Sequence, residues 1–372
     1  MYTTMVVKYG ESGGIELALQ LIKDLEKKGH ILEFNTYQRV LTLALKHDDI
    51  TSSLEILEEI RSRFLKTERV SVLNTYRQLI EYFGKAWNML MVETLFNELK
   101  KRGPRPDTLI YASVIDAYAT WNFEMAERHF KSFKKSPVTI NTHLFNAILK
   151  ACVTHSKANE AVTLYAVAMN KIRPDRFTYF WLIKSMLDQD NTNGAFQFYQ
   201  EMKRSRKTLP NDKIYAIFIK YYGDRGMINE MIAFFNASKS EQSYPAEAAH
   251  VALLRGYAKN GKWLNAYKCY DSMLLKFPLS LCNSNLVTIL AQYGDFSMAV
   301  VTYKTLKNVH LYAEAHGAMA GAYTDKGKKP KALEAFKACQ DDKTTIPCVH
   351  ATNNFIKMYC SFSMLDKGFK VF

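Results

Sequence analysis

The chain has 372 residues, 48% of them apolar, with 50 lysines and arginines against 36 acidic residues, a formal charge of +14. The apolar share excludes a disordered chain, and the basic excess points to a polyanionic partner, nucleic acid before an acidic membrane surface. Six cysteines without a C-x-x-C pair exclude a disulfide scaffold, and no apolar run approaches the ~18 residues of a membrane span.

The start, Met1 to Lys8, has neither the charged-then-apolar layout of a signal peptide nor the Arg- and Ser-rich composition of a transit peptide. Gly (16) and Pro (9) are scarce, no low-complexity linker divides the chain, and apolar residues recur at helical spacing, as in Leu17, Leu21, Ile22 and Leu25. The predicted class is all-α.

The helices repeat. An Ala followed four positions later by an aromatic recurs along the chain, with weaker pairs such as Val92/Phe96, Met231/Phe235 and Gly368/Phe372 filling the gaps. The series runs from Ala18/Ile22, Ser53/Leu57 and Val92/Phe96 through Ala126/Phe130, Ala161/Tyr165 and Ala195/Tyr199. It continues through Met231/Phe235, Ala266/Tyr270, Ala299/Tyr303 and Ala332/Phe336 to Gly368/Phe372, at intervals of 33 to 39 residues. About twenty residues earlier in each unit stands a second marker: Tyr2, Tyr37, Tyr76, Tyr111, Phe145, Tyr179 and Tyr215, then His250, Asn283, His316 and Thr352. Between the two markers a turn often carries glycine (Gly13, Gly226, Gly261, Gly294, Gly327), which suits a left-handed helix C-cap. Each unit is therefore helix, tight turn, helix and short loop. A lone pair of helices cannot bury its apolar faces, whereas stacked pairs can, so the chain should form an α-solenoid of about eleven helix-turn-helix repeats. At helical spacing the aromatic markers are first of all core residues.

Several units close on a common ending: Lys-Lys-Arg-Gly-Pro-Arg-Pro-Asp107, Lys-Ile-Arg-Pro-Asp175 and Lys-Thr-Leu-Pro-Asn211. Others open on Asp107-Thr-Leu-Ile-Tyr-Ala-Ser-Val-Ile115 or Asp175-Arg-Phe-Thr-Tyr-Phe-Trp-Leu-Ile183. Over its whole length the chain resembles the pentatricopeptide repeat family. Tetratricopeptide repeats share the period but place glycine at the eighth position of the first helix, where this chain has Ile115, Leu149, Ile183, Ile219 and Leu254. The units from Cys282 onward run shorter and resemble the short variants of plant-type members. The resemblance implies a right-handed solenoid. It also implies a partial first repeat over 1–33, repeats beginning near 34, 73, 108, 142, 176, 212, 247, 280 and 313, and a truncated last repeat over 349–372. Because terminal repeats usually carry polar caps, the array is expected to continue beyond one or both ends, in the protein or in a partner.

The resemblance further implies binding of single-stranded RNA, one base per unit, read by the fifth residue of the first helix and the last residue of the unit. Asn146/Asp175 matches the family's uracil-type pair. Arg77/Asp107, Ala112/Asn141 and Phe180/Asn211 keep only the terminal Asp or Asn, and Thr3/Glu33 keeps only the Thr. Gln38/Val72, Ala216/Ala246, Val251/Leu279 and Gly317/Cys348 carry no readable code, and Ser284/Tyr312 at most half of one. His143 and Phe177, preceded by Leu109, take the place where a side chain wedges between bases. Lys46, Lys85 and Lys259 take the place of family phosphate contacts, against the plainer reading of a solvated charge. The basic clusters Lys100-Lys101-Arg102 with Arg105, and Lys203-Arg204 with Arg206-Lys207, either meet an RNA backbone or serve solubility.

No catalytic constellation, cofactor motif, small-molecule site or metal site emerges. His129, His143 and His155 stand 14 and 12 residues apart and belong to different helices. Two functions follow as expectations. One is a non-enzymatic RNA-binding adaptor in organelle RNA processing, stability or translation, with a largely degenerate code. The other is a structural subunit of an organelle ribosome or similar ribonucleoprotein, holding ribosomal RNA and proteins. The family places either in the mitochondrion, with the chloroplast as the alternative.

Overall fold

The computed structural model describes residues 2–12, 14–30, 32–169, 171–205, 208–241, 247–294, 296–306, 311, 313–341, 349–362 and 364. Gly13, Arg206, Lys207, Ala246, Tyr312, Cys348, Gly368 and Phe372, named above, lie outside them. Among the described residues there are 21 helices and no strand.

The helices fall into two compact units, Met1–Thr208 and Leu209–Phe372. The first unit holds α1 (Tyr2–Glu11), α2 (Ile15–Lys27), α3 (Phe34–Lys46), α4 (Ile50–Phe64), α5 (Arg69–Lys85) and α6 (Met89–Arg102). It goes on with α7 (Thr108–Tyr118), α8 (Phe123–Lys134), α9 (Thr142–Thr154), α10 (Ala158–Ala168), α11 (Arg176–Asp188) and α12 (Thr192–Arg204). The second unit holds α13 (Asp212–Asp224), α14 (Ile228–Glu241), α15 (Glu247–Lys259), α16 (Trp263–Leu274) and α17 (Leu279–Tyr293). Its remaining helices are α18 (Phe296–Leu306), α19 (Ala313–Asp325), α20 (Lys329–Asp341) and α21 (Val349–Ser361). Within each unit an odd-numbered helix packs on the even one that follows it and on the next odd one, so hairpins stack in series as an α-solenoid does.

The sequence markers explain this stacking. Ala126, Ala161, Ala195, Ala266, Ala299 and Ala332 are buried, and their small side chains let each second helix lie close to its neighbours. The aromatic residue four positions on shares that face. Phe96 of α6 meets Tyr111 of the next hairpin edge to face, with ring centroids 5.4 Å apart, and Tyr111 meets Phe133 at 5.5 Å. The turn inside the hairpin needs a left-handed residue in most units. Gly226, Gly261 and Gly327 supply it, and Asp48, Trp87, Ser156 and Asp190 do so without being glycine. Gly294 departs from the expectation: its φ is −87°, and its N–H caps α17 on the Leu290 carbonyl at 2.9 Å.

Buried tyrosines tie consecutive helices through carboxylates. Tyr76 of α5 donates to Glu98 of α6 at 2.8 Å, and Glu98 also pairs with Arg61 of α4. Burial, with the adjacent Glu98, pushes the Tyr76 phenol above its ordinary range. Tyr76→Phe should therefore lower stability by about 1 kcal/mol, since the carboxylate keeps Arg61 but loses one donor. The midpoint of urea unfolding checks this.

His129 of α8 is enclosed in the same way. It lies 2.6 Å from Glu93 of α6, stacks on Tyr118 of α7 and meets Phe96 edge to face. Burial lowers its pKa, helped by Lys100 and Arg128 and opposed by Glu93. The unfolded chain therefore binds the proton more readily. Stability is full above the ordinary histidine value of about 6.5 and falls as pH drops below it. In His129→Gln the loss of stability between pH 7 and 5 should be shallower.

Candidate nucleic-acid interface

In the first unit the odd helices α5, α7, α9 and α11 border a cavity of about 900 Å3. Six of the residues picked from the sequence line it together: Arg77, Lys85, Ala112, His143, Asn146 and Phe177, with Leu109 beside them. Phe177 is 59% exposed and His143 is exposed, so both present faces to the opening.

Asn146 sits between them, and its amide is held from both ends. Its Nδ2 donates to Asp175 Oδ1 at 2.9 Å, and its Oδ1 accepts from the Thr178 hydroxyl at 2.7 Å. Asp175 is itself fixed as the N-cap of α11. Its Oδ1 accepts from the Thr178 N–H at 2.9 Å, while the Asp175 N–H donates to Thr178 Oγ1 at 3.1 Å, closing a capping box. The amide can therefore take only one orientation, because the reverse would set two oxygens against each other. One N–H and one lone pair remain for a base edge.

The other terminal residues are capping residues too. Asp107 caps α7 through Ile110 N at 2.9 Å, Asn141 caps α9 through Leu144 N at 2.9 Å, and Asn211 caps α13 through Ile214 N at 3.3 Å. The partner of Asn141 is Ala112, which is buried and brings no polar group. Phe180 packs edge to face on Trp181, with ring centroids 5.0 Å apart. It lies in the first unit and Asn211 in the second.

The basic residues divide. Arg77 is 3.7 Å from Glu81, and its buried Nε has no hydrogen-bond partner. Lys259 pairs with Asp224 at 2.8 Å, so its charge has a counter-ion within the second unit. Lys46 and Lys85 are exposed ends of α3 and α5. Lys100 and Lys134 lie over the Phe96 and Phe130 rings, and Lys203 over Tyr199.

Sequence reasoning missed Thr178, Trp87 and Trp121. The spacing Asp-x-x-Thr would have revealed Thr178 as a cap partner. In the second unit the first helices leave no equivalent opening at Gly317. A Cβ there would stand 2.5 Å from the Ala351 Cα, and Ser284, at the same place in α17, is buried. Among the described residues no group of three or more His, Cys, Asp and Glu could hold a metal, and no helix is long and apolar enough to cross a membrane.

Stacked helical hairpins with an opening along their first helices define a helical repeat protein of the solenoid class. The sequence matches the family model described as pentatricopeptide repeat domain over residues 94–155, and the PPR repeat model over 1–30, 74–104 and 249–276. These segments are pentatricopeptide repeats, and the chain is similar to proteins named for that repeat. It is similar to the mitochondrial 15S rRNA processing factor of Yarrowia lipolytica, at 22% identity over 72% of this chain and 38% of that protein. It is similar to a mitochondrial pentatricopeptide repeat-containing protein of Arabidopsis thaliana, at 20% identity over 87% of this chain and 62% of that protein. Small ribosomal subunit protein mL103 of Arabidopsis thaliana is 16% identical over 76% of this chain and 68% of that protein. The chain thus spans less than two thirds of the length of the first two. Among solved structures, the fold matches the pentatricopeptide repeat protein PPR10 from maize with a TM-score of 0.60 at 16% identity, over 100% of this chain and 57% of that one. PPR10 in complex with an 18-nt psaJ RNA element matches with a TM-score of 0.65 at 20% identity, over 100% of this chain and 54% of that one.

Proposed function

We propose that the chain binds single-stranded RNA in the cavity of its first unit and acts, without a reaction of its own, as an adaptor in mitochondrial RNA processing, stability or translation. The observation that carries this reading is the Asn146 amide, locked by Asp175 and Thr178 between the exposed His143 and Phe177. A locked amide presents a donor and an acceptor in fixed order to a base edge, and flanking rings hold the base by stacking at ~1–3 kcal/mol. The net charge of +14 supplies attraction to phosphates. The relatives that process ribosomal RNA or bind an RNA element support the same reading, and those named mitochondrial support the location.

The code is short. A pyrimidine, uracil by the family's pairing, would face Asn146, and neighbouring units would contribute stacking and charge more than sequence preference. Titrating a uracil-containing oligonucleotide at two salt concentrations tests the proposal. Affinity should drop steeply as salt rises, and no binding at low salt would refute it.

A specific observation favours another role for the second unit. The backbone contact at Gly317 and the burial of Ser284 leave no place for a base at those two positions. We propose that this unit holds a protein or folded-RNA partner, as a structural subunit of an organelle ribonucleoprotein would. Relatedness to a ribosomal subunit protein agrees with this. Co-sedimentation with ribosomal particles should then persist in a variant whose first-unit cavity is disabled.

A further inference from the structure

Trp87 occupies the left-handed turn position that glycine fills in three other hairpins, with φ of +63° against +74°, +69° and +66° at Gly226, Gly261 and Gly327. A bulky residue is rarely found there, and such a strained position is retained where the side chain has a use. Trp121, in the next hairpin's turn, meets Trp87 edge to face. The contact exists because Gly84 lets α5 approach α7: a Cβ on Gly84 would lie 2.8 Å from the Ala117 Cβ. The two indoles nevertheless stay 44% and 50% exposed, and both line the cavity that holds Asn146. An open tryptophan pair in a cavity wall wants a flat partner.

The charges around the cavity indicate which one. Arg77 has Glu81 nearby, and Lys150 is paired with Asp116 at 2.8 Å. Lys85, two residues before Trp87, has no acidic partner among the described residues, and the buried Nε of Arg77 lacks an acceptor. A planar apolar face beside an uncompensated cation and an unfilled donor fits a base with its phosphate.

We infer that Trp87 and Trp121 form a second, base-unselective subsite, which takes a nucleotide of the RNA strand bound at Asn146, with its base on the indoles and its phosphate on Lys85. The inference rests on the RNA-binding reading above and adds to it a place where the strand is gripped without being read.

The test uses the whole chain with fluorescein-labelled oligouridylate and oligoadenylate, followed by anisotropy at low salt. Trp87→Gly keeps the turn geometry and should melt no lower than the parent. It should weaken both oligomers about tenfold, as loss of stacking does, and Trp121→Ala should act alike. Lys85→Ala should lower the salt slope by about 0.7, the share of one phosphate on a single strand. Unchanged affinity in both tryptophan variants, while the parent binds, overturns the subsite and leaves the Asn146 reading standing. Absence of binding by the parent overturns both. Should Trp87→Gly abolish binding of free UMP or AMP yet leave the oligomers untouched, the site belongs to a mononucleotide and the inference fails.

Discussion

Replacing Gly317 by asparagine should destabilise the second unit by about 3 kcal/mol, the upper end of what overpacking costs. The substitution would copy onto α19 the amide that Asn146 carries on α9. No room exists for it, because a Cβ at this position falls 2.5 Å from the Ala351 Cα and 2.8 Å from its Cβ, so α21 must shift. Gly317→Ala makes the argument sharper. Alanine is the better helix former by about 1 kcal/mol, yet it too should lower the unfolding midpoint, since its methyl meets backbone. A rise in stability with alanine would show that α19 and α21 have slack, and that the second unit could open to a base.

The second large effect concerns recognition. Asn146→Ala should cost a uracil-bearing oligonucleotide ~1–3 kcal/mol of affinity and its adenine counterpart less, because the amide offers directional bonds to one edge. Phe177→Ala should cost both a similar ~1–3 kcal/mol, since every base has a face to stack. Truncating Asn146 also leaves Asp175 and Thr178 without their shared partner, so the α11 cap has to be checked by helical content. Equal and negligible effects from both substitutions, with the helices intact, would remove the case for base reading and move the function toward the scaffold.

Much of the architecture was legible because burial and period coincide. The large apolar markers recur at 33 to 39 residues, and the alanines four positions before the aromatic ones are buried between stacked hairpins. The pair Asn146 and Asp175 stood out for a different reason, its match to the family's uracil-type combination, and the structure joins the two, 29 residues apart, by a hydrogen bond. What escaped the sequence depends on approach between helices. Nothing in the residue types says that Gly84 brings two turns together and so makes a pair of Trp87 and Trp121. Nor does the lone Gly317 announce that it touches the next repeat's backbone. The charge of Lys259 looked free because its partner, Asp224, lies 35 residues earlier.

The capping role of the last residue in a repeat has an evolutionary consequence. At 107, 141, 175 and 211 that residue closes the first turn of the following helix with its side-chain oxygen. Exchanging it for alanine would cost ~1 kcal/mol in helix stability before any ligand is considered. Local folding thereby favours Asp, Asn, Ser or Thr at these four positions, while other units end on Glu33, Val72 or Leu279 without that benefit. Under the RNA-binding proposal, a change of base preference at Asp107, Asn141 or Asp175 would carry that folding cost, whereas the fifth position of each first helix is not a helix cap and can vary without it.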